Sequence, residues 1–397
     1  MNPERAEIHL LAGHSKRLRQ GHPWIFSNEI RMDEATKRLP KGTLATVIDA
    51  GGERLGVATF NPHSLIAGRL LSADPDAAID EAFFAVRLSR ALALRAALYA
   101  GPHYRLIHAE ADGLPGLVID RYGDVLAVQL NSAGMESLVV QLTAALKHVL
   151  SPRAIVLRRD SGVRELEGLA RAEAEIIGTL EGPVEIDESG VRFLADLGHG
   201  QKTGWYYDQR DNRDFVARLA RDRRVLDLYC HTGGFALRAA VAGAADVLAI
   251  DSSQPALAFA ERAAALNGVA ARVRFEVADV FDWLAKTKAE HAGAFGLVIA
   301  DPPAFAATRK TLPAGLKAYR KLTRLAAGCC AREAYLVIAS CSHHVDQISF
   351  LEAVHAGLRD AGRVGRLIRI AGAGPDHPAH TALPESTYLK CAVLALD

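Results

Sequence analysis

The sequence predicts an α/β protein: a C-terminal half built on a seven-stranded, mostly parallel sheet wound by helices, preceded by a β-rich N-terminal domain and a central α+β domain. Three observations predict this. Between Arg224 and Asp251 an apolar run, Val225-Leu226-Asp227-Leu228, passes through a paired-glycine turn into an amphipathic helix. It emerges in a second apolar run, Val247-Leu248-Ala249-Ile250, which together make a βαβ unit. Beyond Asp251, strand-like and helical stretches alternate to the C-terminus, as a parallel sheet requires. Before residue 184 the pattern differs, with short strands and glycine or proline turns first and mixed helices and strands after. A chain of 397 residues exceeds one average domain, and the pattern changes divide it at 1–73, 74–183 and 184–397.

Half the residues are hydrophobic and 23% are charged, which fills several cores and excludes a disordered protein. No apolar run approaches membrane-spanning length. The N-terminal stretch lacks a signal-peptide core, so a cytoplasmic location is expected. The net charge of +1 offers no general attraction for nucleic acid, and any RNA contact must come from local basic patches. The five cysteines, Cys230, Cys329, Cys330, Cys341 and Cys391, are odd in number and confined to the second half. They predict neither a disulfide framework nor a metal site, and leave reduced thiols available for chemistry.

In chain order, Ile8 to Leu11, Thr43 to Ile48, Gly56 to Phe60 and Leu65 to Leu71 read as strands, with turns at Gly51-Gly52 and Asn61-Pro62. Between the first two lies SKRLRQGHPWIFSNEI, where Lys16, Arg17 and Arg19 precede Trp24 and Phe26. Basic residues beside aromatics can hold phosphates and stack bases, although the same aromatics suit a core equally well. The arrangement resembles a PUA domain, an RNA-binding module. The central region opens with a helix in EAFFAVRLSRALALRAALY and continues with strands at Tyr104 to Ala109, Leu117 to Asp120 and Val125 to Leu130. A helix near Glu136 to Leu150 and a strand at Ala154 to Arg158 follow. Arg158, Arg159 and Arg164 read as a solvated face. A hairpin at Val184 to Phe193 then leads into GHGQKTGWYYDQRDNR, where Lys202, Gln209 and Arg210 are candidates for binding a carboxylate.

The βαβ unit has the layout of a nucleoside site. Gly233 and Gly234 let a ligand lie against the backbone, and Asp251 follows at the distance from which a carboxylate accepts hydrogen bonds from ribose hydroxyls. The turn itself, D-L-Y-C-H-T-G-G-F, is not the G-x-G-x-x-G of a dinucleotide site. Asp227 would repel phosphates and suits a cationic ligand with an amino-acid end. Tyr229 and Thr232 line the turn and Ser252 adjoins Asp251. Such a turn resembles the first motif of the class I S-adenosylmethionine methyltransferases, whose fold is Rossmann-like with seven strands in the order 3-2-1-4-5-7-6. In that fold Asp279 and Val280, just past the third strand, hold the adenine, and Asp279 also suits a helix N-cap.

Two later motifs carry chemistry. Ala300-Asp301-Pro302-Pro303-Ala304-Phe305 closes the fourth strand, and the prolines keep the chain out of helix so that Asp301 points off the sheet edge. Ser340-Cys341-Ser342-His343-His344 closes the fifth. Neighbouring fourth and fifth strands bring Asp301 and Cys341 out side by side. A thiol beside a carboxylate and a methyl donor suits methylation at C5 of a pyrimidine, a carbon too weakly nucleophilic until a thiolate adds at C6. A nearby positive charge should favour the thiolate, with His343, His344 or the following helix as candidates. The helix after Asp301 is basic, and Lys317, Arg320 and Arg324 share a face suited to a phosphate backbone.

GHPWIFSNEI, QKTGWYYDQRDNR, LDLYCHTGGFA, DPPAF, SCS and the run from Asp376 to Lys390 together resemble the RlmI-type 23S rRNA (cytosine-5) methyltransferases over nearly the whole length. That resemblance implies Cys341 as nucleophile with Asp301 as its partner, S-adenosyl-L-methionine as cofactor, and 23S rRNA or a large-subunit precursor as substrate. It also implies a possible homodimer. The chain departs from the family pattern at Ala304 and at His343-His344. The residues themselves leave open a guanine (N7 or amine) RNA methyltransferase that needs no thiol, and a catalytically silent RNA-binding ribosome-assembly factor.

Overall fold

Short β-prone runs in the first 72 residues form a five-stranded sheet in the order Ala6–His9, Thr43–Ile48, Arg54–Phe60, Gly68–Ser72, Trp24–Ile25. Its pairs are antiparallel except the first, and Ile8, Ile25, Val47 and Phe60 form its core. The computed structural model describes residues 5–198 and 204–397, so Lys202 lies outside the described residues.

A second five-stranded sheet runs in the order Ala172–Gly178, Ala154–Arg159, Val125–Leu130, Leu117–Tyr122, His103–His108. The helix Glu81–Leu98 starts at Asp80, whose carboxylate accepts from the Phe83 amide at 3.0 Å, and buries Phe84 and Leu88 against this sheet. The helix expected from Glu136 is two pieces, Ala133–Ser137 and Val139–Leu150, broken at Leu138. Both sheets belong to one compact unit, which also contains Pro375–Ser386.

The reading of Arg158, Arg159 and Arg164 as a solvated face is corrected. Arg158 and Arg164 are buried, Arg158 against Asp160 and the Leu197 carbonyl, Arg164 against Glu136 and the Leu130 carbonyl. Arg159 is shared by Glu136 and Glu175. Buried guanidiniums require such partners.

The second unit comprises Glu185–Ala195, Tyr206–Gly374 and Thr387–Asp397. Its seven-stranded sheet contains β1 (Arg224–Leu228), β2 (Asp246–Asp251), β3 (Val273–Val277), β4 (Phe295–Ala300), β5 (Cys330–Ser340), β6 (Gly365–Ala371) and β7 (Lys390–Leu396), in the order β3-β2-β1-β4-β5-β7-β6. The expected order is the observed one. β1 to β5 are mutually parallel, and β7 runs antiparallel between β5 and β6. Parallel strands covered on both faces read as continuous apolar runs, and Leu226, Leu228, Val298, Leu336 and Ile338 are buried accordingly. In this register Leu228 lies beside Ala300 and Ala300 beside Ile338, so the loops after β1, β4 and β5 leave the sheet from one edge.

Candidate active site

The loop after β1 carries a concentration of unusual backbone. Tyr229, His231 and Gly233 have φ of 64°, 50° and 82°, and the two non-glycine residues each cost on the order of 1–3 kcal/mol there. Hydrogen bonds from β2 hold the loop in place. The Cys230 amide donates to the Ile250 carbonyl at 3.1 Å, and the His231 amide to Asp251 Oδ2 at 2.8 Å. Asp251 Oδ1 accepts from the Ser253 amide at 2.8 Å, so this carboxylate organises both loop ends. A Cβ on Gly233 would lie 3.1 Å from Leu237 Cγ and 3.2 Å from Ala260 Cβ.

Asp227 sits inside the strand rather than on its rim. It is 1% exposed, and its Oδ2 accepts from the Ala236 amide at 2.8 Å, pinning the helix Gly234–Val241 to β1. Burial, with the fields of Asp301 and Asp251, pushes its carboxyl well above the usual range. Val280 is buried, while Asp279 is exposed and caps its helix by accepting from the Asp282 amide at 3.0 Å. The Tyr229 hydroxyl is raised first by burial and then by the charges of Asp279 and Asp251. Thr232 is buried and Ser252 exposed.

Gln209 and Arg210 are both predicted to meet a carboxylate. Arg210 is buried with its Nε 3.5 Å from Glu188, a carboxylate that also takes a bidentate pair from Arg213 at 2.7 Å each. Its Nε has no hydrogen-bond partner among the described residues. Gln209 is 3% exposed; its Oε1 accepts from Asn212, and its Nε2 is a buried donor with no partner among the described residues. Asp227 Oδ1 and Asp208 Oδ1 are buried acceptors, also without partners among the described residues. Such groups are rare in native proteins and call for an explanation.

The loops after β4 and β5 are joined through one hydroxyl. Ser342 is 1% exposed; its Oγ accepts from the Ala306 amide at 3.2 Å and lies 2.9 Å from the Tyr319 hydroxyl. Tyr319 belongs to the helix Leu312–Cys329. That helix seats closely on the Asp301–Ala306 loop because Gly315 has no side chain: a Cβ there would stand 2.8 Å from Ala306 Cβ. The Asp301 amide donates to the Leu228 carbonyl at 3.3 Å, tying this loop to β1 as well. Cys341 is part-exposed, whereas the other four cysteines are buried. Burial pushes those four thiols upward, Cys329 to about 11. Tyr206 senses the charges of Asp208, Asp301, Cys341 and Asp251, which together with burial raise its hydroxyl.

Sequence reasoning missed three parts of this site. Asp208 Oδ2 accepts from the Tyr388 hydroxyl at 2.6 Å, and Tyr388 stacks on the His343 ring at 5.1 Å. Tyr206 packs edge-on to His231 at 5.3 Å. Lys390, at the start of β7, is buried beneath the Cys341 loop. Lys390 stood in the sequence as a lysine opening an apolar run, the one legible signal for it.

The predicted RNA contacts divide. Arg17 is paired with Glu29 at 3.0 Å, and Arg19 with Asp49 and Glu53 at 2.6 and 2.7 Å. Trp24 donates its indole N–H to Glu110 at 2.8 Å and meets His22 and Phe26 edge-on. Arg17 and Arg19 keep more than two fifths of their side chains exposed beside these partners. Lys16 is exposed and has no ion pair among the described residues. On the basic helix, Arg320 is held by Asp360 at 2.6 Å, while Lys317 is exposed and Arg324 half-buried.

Fold and site together define an S-adenosylmethionine-dependent methyltransferase. A family model for S-adenosylmethionine-dependent methyltransferases matches residues 158–341, and one for the PUA-like domain matches residues 8–73. The chain is 38% identical to ribosomal RNA large subunit methyltransferase I of Vibrio cholerae over 98% of its own length and 99% of the relative's. It is also 38% identical to a ribosomal RNA large subunit methyltransferase of Deinococcus radiodurans, over 99% and 96%. The chain belongs to the ribosomal RNA large subunit methyltransferase I family. Its fold is shared by a Streptococcus mutans protein described as a methyltransferase, with a TM-score of 0.82 at 19% identity over 98% of this chain and 100% of that one. The partnerless acceptors of Asp227 and Asp208 and the partnerless donor of Gln209 fit the ammonium and carboxylate of the cofactor's methionine end, and the Gly233 turn leaves room for its backbone approach.

Proposed function

We propose that the protein methylates C5 of a cytosine in large-subunit ribosomal RNA, in the cytoplasm, with Cys341 as nucleophile and Asp301 as its partner. The observation that carries this reading is the contrast among the cysteines. Cys341 alone is part-exposed, and it stands one strand from Asp301 at the edge where the cofactor turn opens.

The cofactor, when bound, supplies an electrophilic methyl group. Cytosine C5 cannot take it unaided. The Cys341 thiolate adds to C6, the ring electrons move to C5 as an enamine, and Asp301 hydrogen-bonds the base edge and assists proton transfer. Once C5 carries the methyl group, loss of its proton to a base restores the C5–C6 double bond as the sulfur leaves. The thiol ends as it began. Gln209 would take the methionine carboxylate, Asp251 the ribose hydroxyls and Asp279 the adenine amine. Lys16, Arg17, Arg19 and Trp24 in the first unit, and separately Lys317, Arg320 and Arg324 in the second, would be the contacts to RNA.

The test is nucleoside mass spectrometry of rRNA from a deletion strain complemented with the natural protein or with Cys341→Ala. A 5-methylcytidine restored by the first and not the second is expected. Methylation of guanine that persists in Cys341→Ala would replace this reading with a guanine enzyme, and no change in rRNA at all would favour an RNA-binding assembly factor.

A further inference from the structure

We propose that a cavity in the first unit, walled by the helix Lys16–Arg19 with its C-terminal turn and by the loop 380–386, holds a phosphate of the substrate RNA; this rests on reading RNA as the substrate. The cavity measures about 410 Å³ and is lined by Arg17, Gln20, His22, Thr381 and Ala382. Two stretches far apart in the chain thus build one site.

The loop is a fixed wall. The connection between β6 and β7 gives Pro375–Ser386 to the first unit. Its base is Asp376, fully buried, whose carboxylate accepts the Arg105 amide at 2.9 Å and whose carbonyl accepts Arg95 Nη2 at 2.9 Å. Further on the chain closes on itself. The Leu383 amide donates to the His380 carbonyl at 2.8 Å, the Ala382 amide to His380 Nδ1 at 3.1 Å, and the His380 amide to Ser386 Oγ at 3.1 Å. Thr381 stands exposed on this frame.

The lining offers donors, and no carboxylate among the described residues belongs to it. Arg17 commits Nη2 to Glu29, 3.0 Å from both oxygens, while its Nη1 makes no hydrogen bond among the described residues and its side chain is 43% exposed. His22 Nδ1 lies 3.1 Å from the amide and the carbonyl of Trp24 alike. The amide can only donate, so Nδ1 accepts and the ring proton sits on Nε2. Burial, and next the Arg17 charge, lower this imidazole, so the ring is neutral at pH 7. The Gln20 amide and the Thr381 hydroxyl complete the set. One cation among neutral donors fits a phosphate oxygen. Of the nearby carboxylates, Glu29 is paired with Arg17, and Glu385 is exposed to water.

Size and surroundings favour a polymer. A cavity of this volume takes one nucleotide rather than an inorganic ion. Lys16 and Arg19, on the same helical turn as Arg17, are exposed, and they carry positive charge past the cavity. A nucleic-acid backbone uses such a track, whereas a single nucleotide does not.

The experiment is filter binding of the full chain to deproteinised large-subunit rRNA from a deletion strain, between 50 and 200 mM salt, without cofactor. Thr381→Glu should weaken binding about tenfold and Thr381→Lys should tighten it, opposite signs that a merely structural loop would not give. Arg17→Gln should weaken binding and lower the slope of log affinity on log salt by about one. Unchanged affinity in both Thr381 variants, or a shift of the same sign in both, overturns the proposal; Thr381 is exposed, so the result holds even if Arg17→Gln fails to fold. AMP binding seen by calorimetry and lost in Thr381→Glu, with rRNA binding unaltered, would give the cavity to a free nucleotide and overturn it too. A natural protein that binds no rRNA would sink the RNA reading and this proposal with it, whereas one that binds rRNA regardless of Thr381 sinks this proposal alone.

Discussion

The buried hydroxyls of Tyr319 and Ser342 lie 2.9 Å apart, and through them a helix following β4 holds the loop that follows β5. The Ser342 oxygen also accepts the Ala306 amide, so one small side chain sets the spacing between the Asp301 and Cys341 loops. Ser342→Ala leaves a buried amide and a buried phenol short of a partner, at a cost of about 1–3 kcal/mol. Methyl transfer should fall by more than the loss of folded protein explains. Thermal melts and single-turnover rates on the same preparation check this; a fully active variant would remove Ser342 from the positioning role.

Gly233→Ala places a Cβ at φ 82° and within 3.2 Å of two side-chain carbons. The expected result is weaker cofactor binding, measured by calorimetry, with a stability loss of about 1–3 kcal/mol. Unaltered affinity would show that the turn does not contact the cofactor.

Arg213→Ala leaves Glu188 buried, with Arg210 at 3.5 Å as its remaining ion-pair partner recorded among the described residues. Breaking such a pair from one side costs about 3–5 kcal/mol. Urea unfolding should show it, whereas a loss under ~1 kcal/mol, typical of a surface pair, would contradict the buried geometry.

His108 in the first unit is held neutral by burial, its imidazole lowered to about 2, with Arg105 and the 5.0 Å His377 ring adding to the effect. The unfolded chain takes up a proton at the ordinary 6.5 and the fold does not. Its contribution is therefore complete above that value and is lost progressively as pH falls below it. Melting temperature should drop from pH 7 to pH 5, and His108→Asn should flatten that slope; identical slopes would exclude His108 as the source.

Strand order and the shared edge of the loops carrying Asp301 and Cys341 were legible because topology dictates them: parallel strands in this order put consecutive motifs at one edge, whatever the side chains between. The placement of Lys390 was not, because it depends on β7 inserting antiparallel beside β5 with Ser340 opposite it, a register no local pattern announces. The guanidiniums misled for a related reason. Arg17, Arg19, Arg158 and Arg164 are matched to carboxylates from 2 to 34 positions away, and a sequence shows the charge without the partner.

The most direct measurement of the central claim uses an RNA substrate carrying 5-fluorocytidine, incubated with the protein and S-adenosylmethionine and run on a denaturing gel. Fluorine at C5 cannot leave as a proton does, so the Cys341–C6 bond should persist. A band of enzyme joined to RNA, absent with Cys341→Ala, is the predicted result. An RNA that becomes methylated with no joined species, or a joined species that survives Cys341→Ala, would contradict it.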